Sequence, residues 1–234
     1  MTEPILNREQ SRRLDQLAQD KYGIAGVVLM ENAGRGVADS LMRLGPASAL
    51  SLAAICCGKG NNGGDGFVIA RHLDLRGIPV RVLLFAEPEE LSGDALINFE
   101  IIERSGLAMD VMPTQASTEE LSAVTDEALA GATWIVDALL GTGVRGNPRP
   151  PYDTVIETLN RHPAPILAVD LPSGFDADAG NGGPHTIQAA HTCTFVARKP
   201  GFLVEGAKKY TGDVEVCDIG APCRLIEEVL AEDG

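Results

Sequence analysis

Five glycines, two asparagines and an aspartate crowd the nine residues Gly58-Lys59-Gly60-Asn61-Asn62-Gly63-Gly64-Asp65-Gly66. An apolar stretch, 52–57, precedes them. Phe67, Val68, Ile69 and Leu73 follow at helical spacing. This order reads as strand, glycine loop, helix. Glycine admits close backbone approach and positive φ. The start of the helix offers unpaired N–H groups and the positive end of its dipole. A phosphate fits such a place. A plain turn needs one or two glycines, so a ligand loop is the better reading. Gly58, Gly60 and Gly63 also spell the dinucleotide pattern G-x-G-x-x-G, which is weak alone. The Asn-Asn-Gly-Gly-Asp core is more specific, because a dinucleotide loop needs no such polar side chains.

Two further stretches carry chemistry. The first runs Asp137-Ala138-Leu139-Leu140-Gly141-Thr142-Gly143-Val144-Arg145-Gly146. Its glycines resemble a second phosphate loop, and Arg145 offers a fork of donors. The second is Asp170-Leu171-Pro172-Ser173-Gly174-Phe175-Asp176. Asp137 and Asp170 each sit in or at the end of an apolar run, where a lone carboxylate is expensive. Each needs a cation or several donors. Asn62, Asp137 and Ser173 supply hard oxygens without thiol or imidazole, which argues for a hard cation over zinc. Potassium, sodium and magnesium remain open on this chemistry. The four histidines, His72, His162, His185 and His191, show no metal-ligand spacing. His72 reads as helix surface.

The run from Cys57 to Gly66 resembles the signature of the NAD(P)H-hydrate epimerase family, the YjeF amino-terminal domain. The family often has proline where Lys59 stands. Met30-Glu31-Asn32-Ala33-Gly34 is similar to another family segment, and Lys199 to a family lysine after the sixth strand. The resemblance covers most of the chain, to about Gly201. It implies an isomerase that interconverts the R and S forms of hydrated NADH and NADPH. It implies potassium held by Asn62, Asp137 and Ser173. It implies nucleotide binding by Asn61, Asn62, Gly63, Gly64 and Asp65, by Gly141, Thr142, Gly143, Val144, Arg145, Gly146 and Asn147, and by Asp170. It also implies a homodimer, and a dehydratase partner expected as a separate protein. Asp170 is the candidate general acid and base. Two other readings stand beside this one. An NAD-dependent dehydrogenase would rest on G-x-G-x-x-G, with Glu87 on the ribose. A binding or scaffolding module would need no catalysis, and the intact Asp65, Asp137 and Asp170 speak against it.

The elements must bring these stretches together. The chain has 234 residues, 44% hydrophobic, which suits one α/β domain over residues 1–234. Strands are expected at 52–57, 80–85, 108–112, 134–140, 166–171, 192–196 and 214–219. Helices are expected at 7–20, 27–44, from 67, 92–104, 117–129, 152–160 and 224–230. Asn7 with Gln10, and Ser117 with Glu120, resemble capping boxes. Alternating strands and helices imply a Rossmann-like three-layer α/β/α fold with a mainly parallel sheet, plus two extra amino-terminal helices. With strand order 3-2-1-4-5, the three loops meet at the point where the chain reverses direction.

A net charge of −14 and a pI near 4.6 disfavour nucleic acid and anionic membranes as partners. No run approaches the roughly 18 apolar residues of a membrane span. Five cysteines, two of them adjacent, argue against a disulfide framework. A cytoplasmic location is expected.

Overall fold

The computed structural model describes residues 3–44, 50–143 and 146–232. Val144 and Arg145, two of the expected nucleotide-binding residues, lie outside the described residues.

Two helices come first, α1 (Arg8–Asp20) and α2 (Gly26–Arg43). Asn7 caps α1 with a full capping box: its side chain accepts from the Gln10 N–H at 2.8 Å, and Gln10 accepts in return at 2.9 Å. There follow β1 (Ala53–Cys57), α3 (Asn61–Leu75), β2 (Val80–Leu84), α4 (Gly93–Ser105), β3 (Met109–Val111), α5 (Thr118–Ala128), β4 (Trp134–Ala138) and α6 (Tyr152–Arg161). The chain closes with β5 (Ile166–Val169), β6 (His191–Phe195), the short α7 (Lys208–Thr211), β7 (Asp213–Cys217) and α8 (Cys223–Glu232). Ser117 forms only half of a box, accepting from Glu120.

The strands form one parallel sheet in the order β3-β2-β1-β4-β5-β6-β7. The central strands β1, β4 and β5 are buried along nearly their whole length because both faces of the sheet are covered there. Ile55, Val82, Val136 and Leu167 pack on one side with Val37 and Leu41 of α2, Phe67 and Leu73 of α3, and Phe99 of α4. Ala54, Leu83, Ile135 and Ile166 pack on the other with Leu121 of α5 and with Val155 and Leu159 of α6. Helix α1 docks through Leu14, Leu17 and Ala18 onto Leu225 and Val229 of α8.

The glycine segment departs from expectation. Helix α3 starts at Asn61, so Asn61 to Asp65 are its first turns and not a loop. None of Gly58, Gly60, Gly63, Gly64 and Gly66 has a positive φ. Their value is closeness. A Cβ on Gly63 would stand 1.9 Å from the Gly58 carbonyl oxygen, and one on Gly58 would stand 2.0 Å from that of Leu139. His72 also differs from expectation. It is buried, because its ring nitrogen meets Glu31 of α2 at 2.8 Å. Arg71 pairs with the same carboxylate, so the polar residues of α2 fasten it to α3.

Gly63→Ala should therefore destabilise strongly. The clash is with backbone, which cannot swing aside, and overpacking of this kind costs about 1–3 kcal/mol or more. Gly60→Ala is the control, since nothing lies within 4 Å of its Cβ position. Thermal denaturation should show a clear loss for the first variant and little change for the second. Equal melting temperatures would refute the packing role of Gly63.

Candidate active site

The segments after β1, β4 and β5 meet where the strand order reverses, outside the carboxyl ends of the strands. A cleft of about 790 Å³ opens there. Asn61, Asn62 and Asp65 line it from α3; Gly141, Thr142, Gly143 and Asn147 from the β4–α6 connection; and Asp170 from the end of β5. Gly63 and Gly64 stand behind this lining, against Gly58 and against Met30 and Ala95. Gly146 opens instead onto a smaller recess of about 80 Å³, which Gly141 and Asn147 share. As the first residues of the helix, Asn61, Asn62 and Gly63 have N–H groups without an intrahelical acceptor. The Gly64 N–H is already used, on the Gly60 carbonyl at 3.1 Å.

Beneath the cleft lies Asp137, fully buried beside the equally buried Ser173. Ser173 donates its hydroxyl to Asp137 Oδ1 at 2.6 Å and its N–H to Oδ2 at 2.8 Å, and the Leu139 N–H adds a third bond at 3.3 Å. Burial pushes the Asp137 carboxyl up to about 6, against the lowering pull of these donors. Asn62 is 7% exposed, and its Nδ2 has no hydrogen-bond partner. Its side chain touches the Gly141 position, while Ser173 Oγ accepts from the Leu140 N–H at 3.0 Å. The Leu139–Gly141 backbone thus runs between Asn62 and Ser173. Turning the Asn62 amide by half a revolution would place an oxygen where the unpartnered nitrogen stands. A hard cation fits this donor set.

Asp170 has φ 62°, a left-handed conformation that costs a non-glycine residue roughly 1–3 kcal/mol. It stands at the centre of a γ-turn, with the Leu171 N–H on the Val169 carbonyl at 2.7 Å. Val196 repeats the arrangement at the end of the neighbouring β6, with φ 65° and the Ala197 N–H on the Phe195 carbonyl at 2.7 Å. The two strained ends bring Asp170 and Lys199 together. Lys199 is 2% exposed and stands 3.3 Å from Asp170 Oδ1, so it is no solvated loop lysine. Its ammonium also donates to the Phe195 and Ala197 carbonyls. Thr194 Oγ1 at 3.0 Å and the Phe195 N–H at 3.4 Å donate to the same carboxylate oxygen. Oδ2 is left for the cleft.

Several lining residues carried no signal that singled them out. Arg12 and Asp15 come from α1, Arg149 and Tyr152 from the start of α6, and Phe195 from the end of β6. Arg12, Arg149 and Lys59 put positive charge on the rim, with Lys59 held by Glu90 at 2.7 Å. Inside, Asp65 is buried and its carboxyl is held well above the ordinary range, first by desolvation and then by the charges of Asp170 and Asp15.

A second cluster lies under α2. His191 Nε2, Cys193 Sγ and a Glu215 carboxylate oxygen stand within 4.8 Å of one another. Ser40 and Arg43 already hold Glu215, which accounts for the cluster as an ion-pair network.

Residues 26–201 match the family model described as YjeF-related protein N-terminus. A protein of Pirellula staleyi named NAD(P)H-hydrate epimerase is 45% identical over 227 residues, 97% of each chain. One of the same name from Rhodopirellula baltica is 41% identical, over 96% of this chain and 88% of its own. A protein of Moorella thermoacetica named bifunctional NAD(P)H-hydrate repair enzyme Nnr is 42% identical, over 95% of this chain but 41% of its own. The crystal structure of the yeast protein ynu0 shares the fold, with a TM-score of 0.77 at 22% identity over 97% of this chain and 93% of its own.

The pairing of Asp137 with Ser173 leads to a stability test. Ser173→Ala removes one donor from a buried carboxylate and one acceptor from the Leu140 N–H. The expected cost is about 1–3 kcal/mol, or roughly 2–4 °C of melting temperature per kcal/mol for a chain of this size. Without added cation, the stability linked to Asp137 is fully present below the ordinary carboxyl range and is lost as pH rises through about 6. Melting temperatures measured between pH 5 and 7 should show both effects. A variant as stable as the parent would refute the role of the serine.

Proposed function

The chain belongs to the family of the YjeF-related protein N-terminus, and from that premise we propose that it is an NAD(P)H-hydrate epimerase. The observation that carries this is the 45% identity, over nearly the full length of both chains, to a protein of that name. The substrate is a nicotinamide nucleotide with a hydroxyl added at C6, beside the ring nitrogen. When that hydroxyl leaves as water, the nitrogen lone pair makes an iminium-like cation. Water then attacks either face. The reaction needs a proton donor for the leaving oxygen and an acceptor for the entering water.

Asp170 is the residue we assign to this proton transfer. Its strained turn, its bond to Lys199 and its free oxygen in the cleft support the assignment. The nucleotide phosphates would meet the N–H groups at the start of α3 and the rim cations Arg12, Lys59 and Arg149. Asn61, Asn62, Asp65, Gly141, Thr142, Gly143 and Asn147 complete the binding wall, with Gly63 and Gly64 setting its backbone. We assign Gly146, Val144 and Arg145 to the same region from the family resemblance.

Potassium is the cation we propose for Asn62, Asp137 and Ser173; it would supply fixed positive charge beneath the cleft and keep Asp137 ionised. A single carboxylate balances a monovalent ion better than a divalent one. A homodimer, a dehydratase partner and a cytoplasmic location complete the proposal. The longer repair enzymes that contain a similar stretch support the dehydratase partner. Five free cysteines support a reducing compartment. No helix among the described residues is long and apolar enough to cross a membrane.

The test is an epimerisation assay with resolved R and S hydrates, corrected for the spontaneous reaction. The wild type should interconvert them. Asp170→Asn should bind the nucleotide with nearly unchanged affinity and lose roughly 10²–10⁴-fold in turnover. Weak binding with normal turnover at saturation would make Asp170 a binding residue. Potassium should raise the melting temperature relative to choline at equal ionic strength, and Asn62→Ala should abolish the difference.

A further inference from the structure

The proposed reaction has two faces, and one carboxylate on one wall serves only one of them well. The cleft carries a second candidate on a different element. Asp15 projects from α1 into the same cleft as Asp170, which rises from the end of β5. We propose that Asp15 is a second catalytic residue, so that Asp15 and Asp170 serve opposite faces of the substrate ring. This rests on the epimerase reading above.

The surroundings of the two carboxyls set them apart. Asp170 faces the buried ammonium of Lys199 at 3.3 Å and accepts from two further donors, Thr194 Oγ1 and the Phe195 N–H. The Asp15 carboxyl receives no such donor among the described residues, and it is an exposed side chain on the cleft wall. Partial desolvation at the cleft wall, and then the negative charge of Asp170, push its carboxyl up to about 6, against the lowering pull of Lys199. The charged and titratable groups around it are Asp170 from β5, Lys199 beyond β6, Asp65 from α3 and Arg12 on its own helix. Asp15, which lacks such donors, is the group to give a proton, and Asp170, on another element of the same cleft, is the group to take one. Two carboxyls in unlike surroundings at one site are the usual mark of an acid and base pair.

The step balances. Protonated Asp15 gives its proton to the C6 hydroxyl on its face. The C6–O bond breaks with its electrons and water departs, while the ring nitrogen lone pair forms the C–N double bond. Water enters on the other face and forms the new C–O bond, its electrons returning to nitrogen. Asp170 takes the proton. The product is the opposite epimer, with the proton moved from Asp15 to Asp170. The reverse reaction runs the same steps backwards.

The experiment incubates each resolved hydrate in water enriched in ¹⁸O, with the wild type, Asp15→Asn or Asp170→Asn. It follows both epimerisation and exchange of the hydroxyl oxygen, and subtracts the spontaneous rates. Each variant should lose roughly 10²–10⁴-fold in epimerisation. Each should still exchange the hydroxyl of one epimer, the one facing its remaining carboxyl, and the two variants should retain opposite epimers. The wild-type kcat/KM for the epimer facing Asp15 should fall as pH rises through about 6, and Asp15→Asn should lack that limb. Asp15 opens to the cleft and packs no core, so its variant should melt with the parent. Epimerisation by Asp15→Asn at the parent rate would overturn the role of Asp15. So would loss of exchange for the same epimer in both variants. A wild type that does not interconvert the hydrates would overturn the function itself, a different result from either.

Discussion

Three stretches of backbone touch at one point, and only glycine lets them. The first turn of α3 presses through Gly63 onto the Gly58 carbonyl, and Gly58 presses onto the Leu139 carbonyl. Gly66 extends the contact, its Cβ position lying 2.6 Å from Cys57 Sγ and 2.9 Å from Ala138 Cβ. A side chain at any of these positions would lift the helix away from the ends of β1 and β4. The close approach sets Asn62 against Gly141 and brings Asp65 and the unbonded N–H groups of α3 to the crevice. The cleft wall and the positions of Asn62 and Asp65 in it all follow from this one contact.

The second constraint is electrostatic. Four carboxyls gather in and beneath the cleft of a chain already at net charge −14. Each is handled differently. Ser173 and Leu139 bind Asp137, Lys199 binds Asp170, desolvation pushes the Asp65 carboxyl well above its ordinary range, and Asp15 is pushed up to about 6 at the open side. The same side chain meets four different environments, because burial, partner charge and hydrogen bonding act on it in different proportions. Four like charges could not share so small a space if all were ionised. The strained turns at Asp170 and Val196 belong to the same scheme, for they aim the carboxylate and the lysine from adjacent strand ends at one another.

The order of strands and helices, the parallel sheet and the crevice at the strand reversal were all legible in the sequence. Strands buried on both faces must be apolar throughout, and apolar runs alternating with amphipathic ones leave few topologies. The glycine cluster and the carboxylates at strand ends stood out for a similar reason. Glycines in number, and a charge inside an apolar run, are costly unless something requires them. The tertiary structure decided what those features do. Helix α3 starts at Asn61 because its first turn is drawn onto β1 and β4, a contact between segments that local spacing does not record. His72 and Lys199 are buried because carboxylates from distant segments, Glu31 and Asp170, meet them. Asp15 belongs to the cleft only because α1, docked on α8, lies over the end of a sheet whose fifth strand comes far later in the chain. An amphipathic helix shows in its sequence which face it buries. Which residue of its polar face meets a cleft is set by long-range packing, and no local pattern encodes that.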